Sequence, residues 1–244
     1  MREVVYLSEG KLNAFLPKPR RALPAVTVQA GLPFAEISVE RPPPDGAREL
    51  RRHLRRVEKT LARRALWYTE PGLAAGRWVR FKAPLTWMTL RGEHRDLVLF
   101  VDPAPDPAHP RGAGAPRRLL LHGSARHLLG RPPVQVDGPE QTGLADGGGS
   151  AGTVFVTNAG RVVGALAHAD DAPGADGEGR PEPPVPLPRG GVRDLLAALD
   201  AGSAEVSTAA MVTGYARVSA LLPGTDAEAG CLVASPLIVE YADS

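Results

Sequence analysis

The chain has 244 residues, 43% of them hydrophobic, 23% charged and 5% aromatic. That length holds one large domain or two small ones, and the apolar content suffices for a core built mainly from Leu, Val and Ala. The single cysteine, Cys231, excludes an intrachain disulfide and suits a reducing, cytoplasmic setting, while the first residues hold no apolar stretch of signal-peptide length and no run approaches the ~18 apolar residues of a membrane span.

The net charge of +2 hides an asymmetry. Residues 1–131 carry 24 Lys+Arg against 12 Asp+Glu, and residues 132–244 carry 5 against 15. Halves of opposite sign attract each other within or between chains, or one basic face meets an acidic partner. Most of the bases are arginine, in a chain rich in Ala, Gly and Pro, as a GC-rich genome produces. The arginine content therefore makes nucleic acid a less favoured partner than self-association.

Val4 to Leu7 reads as a short strand, and Ser8 as the cap of a helix whose apolar face is Leu12, Phe15 and Leu16. Alternation at 25–30 and 34–40 around Gly31-Leu32-Pro33 predicts two strands. After Pro42-Pro43-Pro44, Asp45 caps the longest helix, about 46–67. Its stripe of Leu50, Leu54, Val57, Leu61 and Ala65 has steps of four and three. The other faces carry eight bases from Arg48 to Arg64, offset by Glu49 and Glu58, a solvated face or an electrostatic platform.

Arg77 to Thr89 predicts a long strand with Val79, Phe81, Ala83, Leu85 and Trp87 on its core side. Trp78, Arg80 and Lys82 occupy the other side, where an aromatic between cations can stack a flat ligand. Pro84 argues for an edge or a bulge. Leu97 to Val101 reads as a strand buried on both faces. Leu119 to Leu121 reads as another, broken by Gly123, with Ser124 capping a short helix that Gly130 ends. Thr153–Thr157 and Arg161–His168 read as strands joined at Asn158-Ala159-Gly160. The acidic and Pro-rich stretch around 170–189 reads as a mobile excursion. Gly191 to Ala201 predicts a helix, Val212 onward a strand, and Cys231 to Tyr241 the last strand, bent at Ser235-Pro236. This order predicts a single α+β domain over 1–244 with a mainly antiparallel sheet, one long basic amphipathic helix, shorter helices and Pro/Gly-rich excursions.

Several segments resemble a known group when read together. They are Val-Val-Tyr-Leu-Ser-Glu-Gly-Lys-Leu at 4–12, Gly-Arg-Trp-Val-Arg-Phe at 76–81, Leu-Leu-Leu-His-Gly-Ser-Ala-Arg-His-Leu-Leu-Gly at 119–130, Gly-Tyr-Ala-Arg-Val at 214–218 and Leu-Val-Ala-Ser-Pro-Leu-Ile-Val-Glu-Tyr-Ala at 232–242. The set is similar to that of an uncharacterised family of actinobacterial, Streptomyces-type proteins, over nearly the whole chain. The resemblance implies no particular activity, cofactor or catalytic residue. A broader bacterial group with a similar Tyr-x-Ser-Asp-x-Lys opening is linked to conflict or defence systems; Glu9 stands here where that group has Asp.

The candidates for chemistry are few. His122, Ser124 and His127 gather in sequence, with Asp96 or Asp102 available to orient a histidine, but there is no Gly-x-Ser-x-Gly elbow. No metal-ligand spacing and no phosphate-binding glycine loop is present, so no metal and no cofactor is expected. Ser8, Glu9 and Lys11 follow the first strand. Tyr215 and Arg217 share a face, as do Ser235 and Tyr241, as a pocket or a dimer seam. The leading expectation is a non-catalytic binding or sensor module in a regulatory or conflict setting. Its anionic ligand or acidic partner is held by Trp78, Arg80, Lys82, Arg118 and Arg126, with Arg77 and Arg117 nearby, at a helix N-terminus near residue 124. The alternatives are a small-molecule enzyme with His122 or His127 as general base, and a self-assembling structural protein.

Overall fold

The computed structural model describes residues 3–15, 46–103, 117–137, 150–171, 187–203, 209–224 and 230–242. The strands expected at 25–30 and 34–40, the cap at Asp45 and most of the 170–189 excursion lie outside these residues.

The strands are β1 (Val4–Leu7), β2 (Leu66–Trp67), β3 (Trp78–Leu90), β4 (Leu97–Val101), β5 (Arg118–Ser124), β6 (Val134–Val136), β7 (Ala210–Leu222) and β8 (Cys231–Tyr241). The helices are α1 (Glu9–Ala14), α2 (Gly46–Arg64), α3 (Ser150–Asp171) and α4 (Arg189–Ser203). Five strands close on themselves into a small barrel. β3 pairs with β4, β4 with β5, β5 with β8, β8 with β7, and β7 with β3; only the β5–β8 pair is parallel. β1 extends β8 antiparallel, and β2 and β6 lie parallel to β3. The fold is α+β with mainly antiparallel pairing. No helix among the described residues is long and apolar enough to cross a membrane.

The period of two along β3 sends Val79, Phe81, Ala83, Leu85 and Trp87 into the barrel. Val98, Phe100, Leu119, Leu121, Val212, Ala216, Val218, Leu232 and Ala234 meet them there. Tyr6 enters from β1 and meets Phe100 edge to face at 5.7 Å. Gly123 does not break its strand as the sequence suggested: it sits inside β5 opposite Val98. A Cβ at this position would overlap the Tyr6 hydroxyl, so glycine makes room for the ring. Pro84 pairs with Met211 of β7 on one side, and on the other it falls between the β3 residues paired to β2 and those paired to β4, a local edge that suits a residue without an N–H. Pro236 lies at a bulge, where Tyr215 pairs with Ile238 but Ala216 with Pro236.

One outer face is covered by α3 and α4. Ala159, Val162, Val163 and Leu166 of α3 pack with Val192, Leu195, Leu196 and Leu199 of α4 onto Leu97, Leu99, Val101, Leu120 and Val233. Here the hairpin expected at 153–168 is overturned, because that segment is one continuous helix. Residues 159, 162, 163 and 166 are spaced to line one helical face. Glycine at 160 and 164 costs the helix about 0.5–1 kcal/mol each. Each Val or Leu buried under the helix is worth about 1.5–3 kcal/mol, so packing outweighs the local turn signal.

A separate outer face carries α1 and α2. Val57 and Leu61 of α2 and Leu12 of α1 pack on Leu7, Leu237 and Ile238, with Leu50 and Leu54 at the margin. The apolar stripe is the one read from the sequence. The helix stops at Arg64, short of the expected 67, because Leu66 and Trp67 pair as a strand with Val79 and Arg80.

Candidate functional site

With its stripe turned to the barrel, α2 leaves its eight bases exposed: Arg48, Arg51, Arg52, Arg55, Arg56, Lys59, Arg63 and Arg64. One flank of the helix overhangs the sheet and forms a groove of about 390 Å³. Arg55, Glu58, Lys59 and Ala62 form its helical wall. Trp67, Arg80, Thr213, Tyr215 and Glu240 form the strand side, with Phe81 and Gly214 between them.

The strand registers explain the convergence. Arg80 is level with Trp67 on β2 and with Tyr215 on β7, so the three residues stand in one row across the sheet. The Arg80 guanidinium lies over the Trp67 ring at 5.6 Å from its centroid, a cation–π contact. Trp67 is fixed by its backbone, whose N–H donates to Glu70 Oε1 at 3.0 Å. A second row places Thr213 between Lys82 and Glu240; the Thr213 hydroxyl donates to the Phe81 carbonyl at 2.9 Å. Gly214 is required here, since a Cβ would lie 2.8 Å from Phe81 Cζ and overlap the Ile238 carbonyl. The groove thus combines three cations, two carboxylates, two hydroxyl groups and three aromatic residues.

The ligand residues expected from the sequence do not form one site. Arg80 lines the groove. Trp78, two residues earlier, packs against Phe15 at 5.4 Å and against the α1–α2 core instead. Lys82 is exposed on the same strand but outside the groove lining. Arg126 is exposed beside His127, donating from Nε to His127 Nε2 at 3.3 Å. Arg117 donates to the Glu70 carbonyl at 3.0 Å.

Arg118 is buried, only 8% exposed. Its Nη1 and Nη2 donate to both Asp200 oxygens at 2.8 Å, and Nη2 also reaches the Asp102 carbonyl at 2.9 Å. Nε lies 3.3 Å from Asp102 Oδ1. Burial alone would lower the guanidinium pKa, but the hydrogen bonds and charges of Asp200 and Asp102 outweigh it and raise it above the ordinary value. The network ties α4 to β5 and neutralises a base of the N-terminal half with an acid of the C-terminal half. On the neighbouring strand, burial, then the charge of Asp102, pushes the Cys231 thiol up to about 12, with Arg118 opposing.

The catalytic candidates separate as well. β5 runs on through Ser124, and only a three-residue 3-10 turn, Ala125–His127, follows. Ser124 makes no side-chain cap hydrogen bond, so the anion-binding helix start expected there does not exist. His127 stacks edge to face on Tyr6 at 5.8 Å. His122 is 1% exposed and meets a serine, but Ser219 rather than Ser124: Nε2 and Oγ are 2.8 Å apart. Ser219 is the extra residue of a β7 bulge between Val218 and Ala220, which turns its hydroxyl toward β5. Ser235 Oγ donates to the His122 carbonyl at 3.2 Å, and Lys11 Nζ donates to Ser235 Oγ, tying α1 to β8. Lys11 is thus part of a tether, and Ser8, Glu9 and Lys11 do not line the groove; Ser8 is buried without a side-chain cap bond. Asp102 is engaged with Arg118.

A protein-family model described as a family of unknown function (DUF7019) matches residues 2–243. The chain belongs to that family. No curated protein and no solved structure matches it. This membership is consistent with the expectation of an uncharacterised family, and the family label brings no site with it.

Sequence reasoning placed Arg55 and Lys59 on a basic helix and Tyr215 at a pocket or a seam. It missed Trp67, which was read as the end of the helix. Trp67 lies two residues past Ala65, off the apolar stripe, and its pairing with Arg80 of β3 places it in a strand.

Proposed function

We propose that this protein is a non-catalytic binding or sensor module for an anionic small molecule, held in the groove between α2 and the β3–β7 face. The observation that carries this reading is the convergence of Arg55 and Lys59 from one helix and Arg80 from the sheet on one concavity beside Trp67. Cations drawn from separate rigid elements act on one anion without reorganising. The motif set supports an actinobacterial origin and a regulatory or conflict setting, and the lone buried Cys231 suits the cytoplasm.

The test is calorimetric titration of the full chain with inorganic pyrophosphate at low salt. Arg80→Glu, and Arg55→Glu with Lys59→Glu, should each weaken binding by about tenfold or more. Lys82→Glu and Arg126→Glu, outside the groove, should leave it within about twofold. Wild-type protein that takes up no pyrophosphate, or equal losses from all four changes, would sink the reading.

A second reading, a small-molecule enzyme with His122 as general base, draws on the 2.8 Å contact with Ser219. It requires substrate to reach a ring that is 1% exposed and absent from the groove lining. The groove is therefore the better-supported site.

A further inference from the structure

The chemistry of the groove narrows the ligand beyond its charge. Resting on the anion-binding reading above, we infer that the ligand is a mononucleotide, with its phosphate on Arg55, Lys59 and Arg80 and its base against the aromatic row of Trp67 and Tyr215.

A bare polyanion needs cations alone. Two carboxylates in the same groove, Glu58 on the helical wall and Glu240 on the strand side, repel it. They suit a ligand that is anionic at one end and offers hydrogen-bond donors at the other. A nucleoside phosphate has that polarity: phosphate oxygens, then ribose hydroxyls and a base edge that donate. Glu240, level with Thr213, accepts from such donors on the strand side, away from the helical wall.

The aromatic row supplies the second argument. Arg80 already stacks on Trp67 at 5.6 Å, and Tyr215 is its neighbour on the opposite strand. A flat guanidinium backed by indole extends a stacking surface that accepts any base. Arg55 and Lys59 are one helical turn apart, about 6 Å along the axis, the reach of a single phosphate or diphosphate group. The groove volume of about 390 Å³ lies at the low end of small-ligand pockets and fits one nucleotide rather than a strand of several.

The experiment titrates the full chain separately with AMP, GMP, adenosine, inorganic pyrophosphate and a short single-stranded RNA, by calorimetry at fixed salt. A mononucleotide should bind about tenfold or more tightly than both pyrophosphate and adenosine, because only it engages cations and rings together. Trp67→Ala should bring AMP and GMP down to the pyrophosphate level without weakening pyrophosphate, whereas Trp67→Phe, which keeps a ring and the fold, should preserve the preference. Pyrophosphate binding with no gain for either nucleotide overturns the nucleotide inference and leaves the anion reading intact. Tighter binding of the RNA than of either mononucleotide also overturns it. No binding of any probe removes both.

Discussion

Replacing Arg118 by Ala tests whether the buried network is structural. Arg118 is 8% exposed and Asp102 5%, so deleting the guanidinium leaves the Asp102 carboxylate in the interior without its cation. Breaking a buried pair from one side costs about 3–5 kcal/mol. Asp200 keeps 24% of its side-chain exposure and is resolvated, so its loss adds only about 1 kcal/mol or less. The urea midpoint should fall by roughly 1–2 M. Asp200→Asn should cost less than Arg118→Ala, since a neutral amide oxygen still accepts from the guanidinium. The sign test is the double change Arg118→Met with Asp102→Asn, which removes both buried charges. It should be more stable than Arg118→Ala alone. An Arg118→Ala midpoint within about 0.3 M of wild type, or a double variant less stable than the single one, would refute the reasoning.

Gly123→Ala should destabilise by about 1–3 kcal/mol through overpacking against the Tyr6 hydroxyl, and adding Tyr6→Phe should restore part of that loss in thermal melts; an unchanged melting temperature for Gly123→Ala would contradict the geometry. The native Cys231 thiol should resist a disulfide reagent at pH 8 and react once urea unfolds the chain. Its pKa is raised from 9.0 to about 12, so the folded state favours the protonated thiol. The stability this contributes is complete below pH 9 and is lost as the pH rises through 12. Cys231→Ala should therefore flatten the alkaline limb of the stability profile, and an unchanged limb would count against the assignment.

Much of the architecture was legible locally. The period of two in β3, the continuous apolar run of β4 and the 4-3-4-4 stripe of α2 each specify an element and its buried face, because side-chain direction follows backbone period. The basic helix face and the cation at Arg80 were legible for the same reason. What only the tertiary structure decided depends on partners distant in sequence. Residues 150–171 became helix because α4 and the barrel wall could bury one face of them. Ser124 lost its helix because β5 continued through it beside Leu97. Arg118 looked like a ligand residue until Asp102 and Asp200 enclosed it. Arg55, Lys59, Trp67, Arg80 and Tyr215 span 161 positions of chain, and no local pattern links them. Their meeting is fixed by the strand registers of β2, β3 and β7 and by the side of the barrel on which α2 packs. Those are set by the total apolar area buried rather than by any one segment.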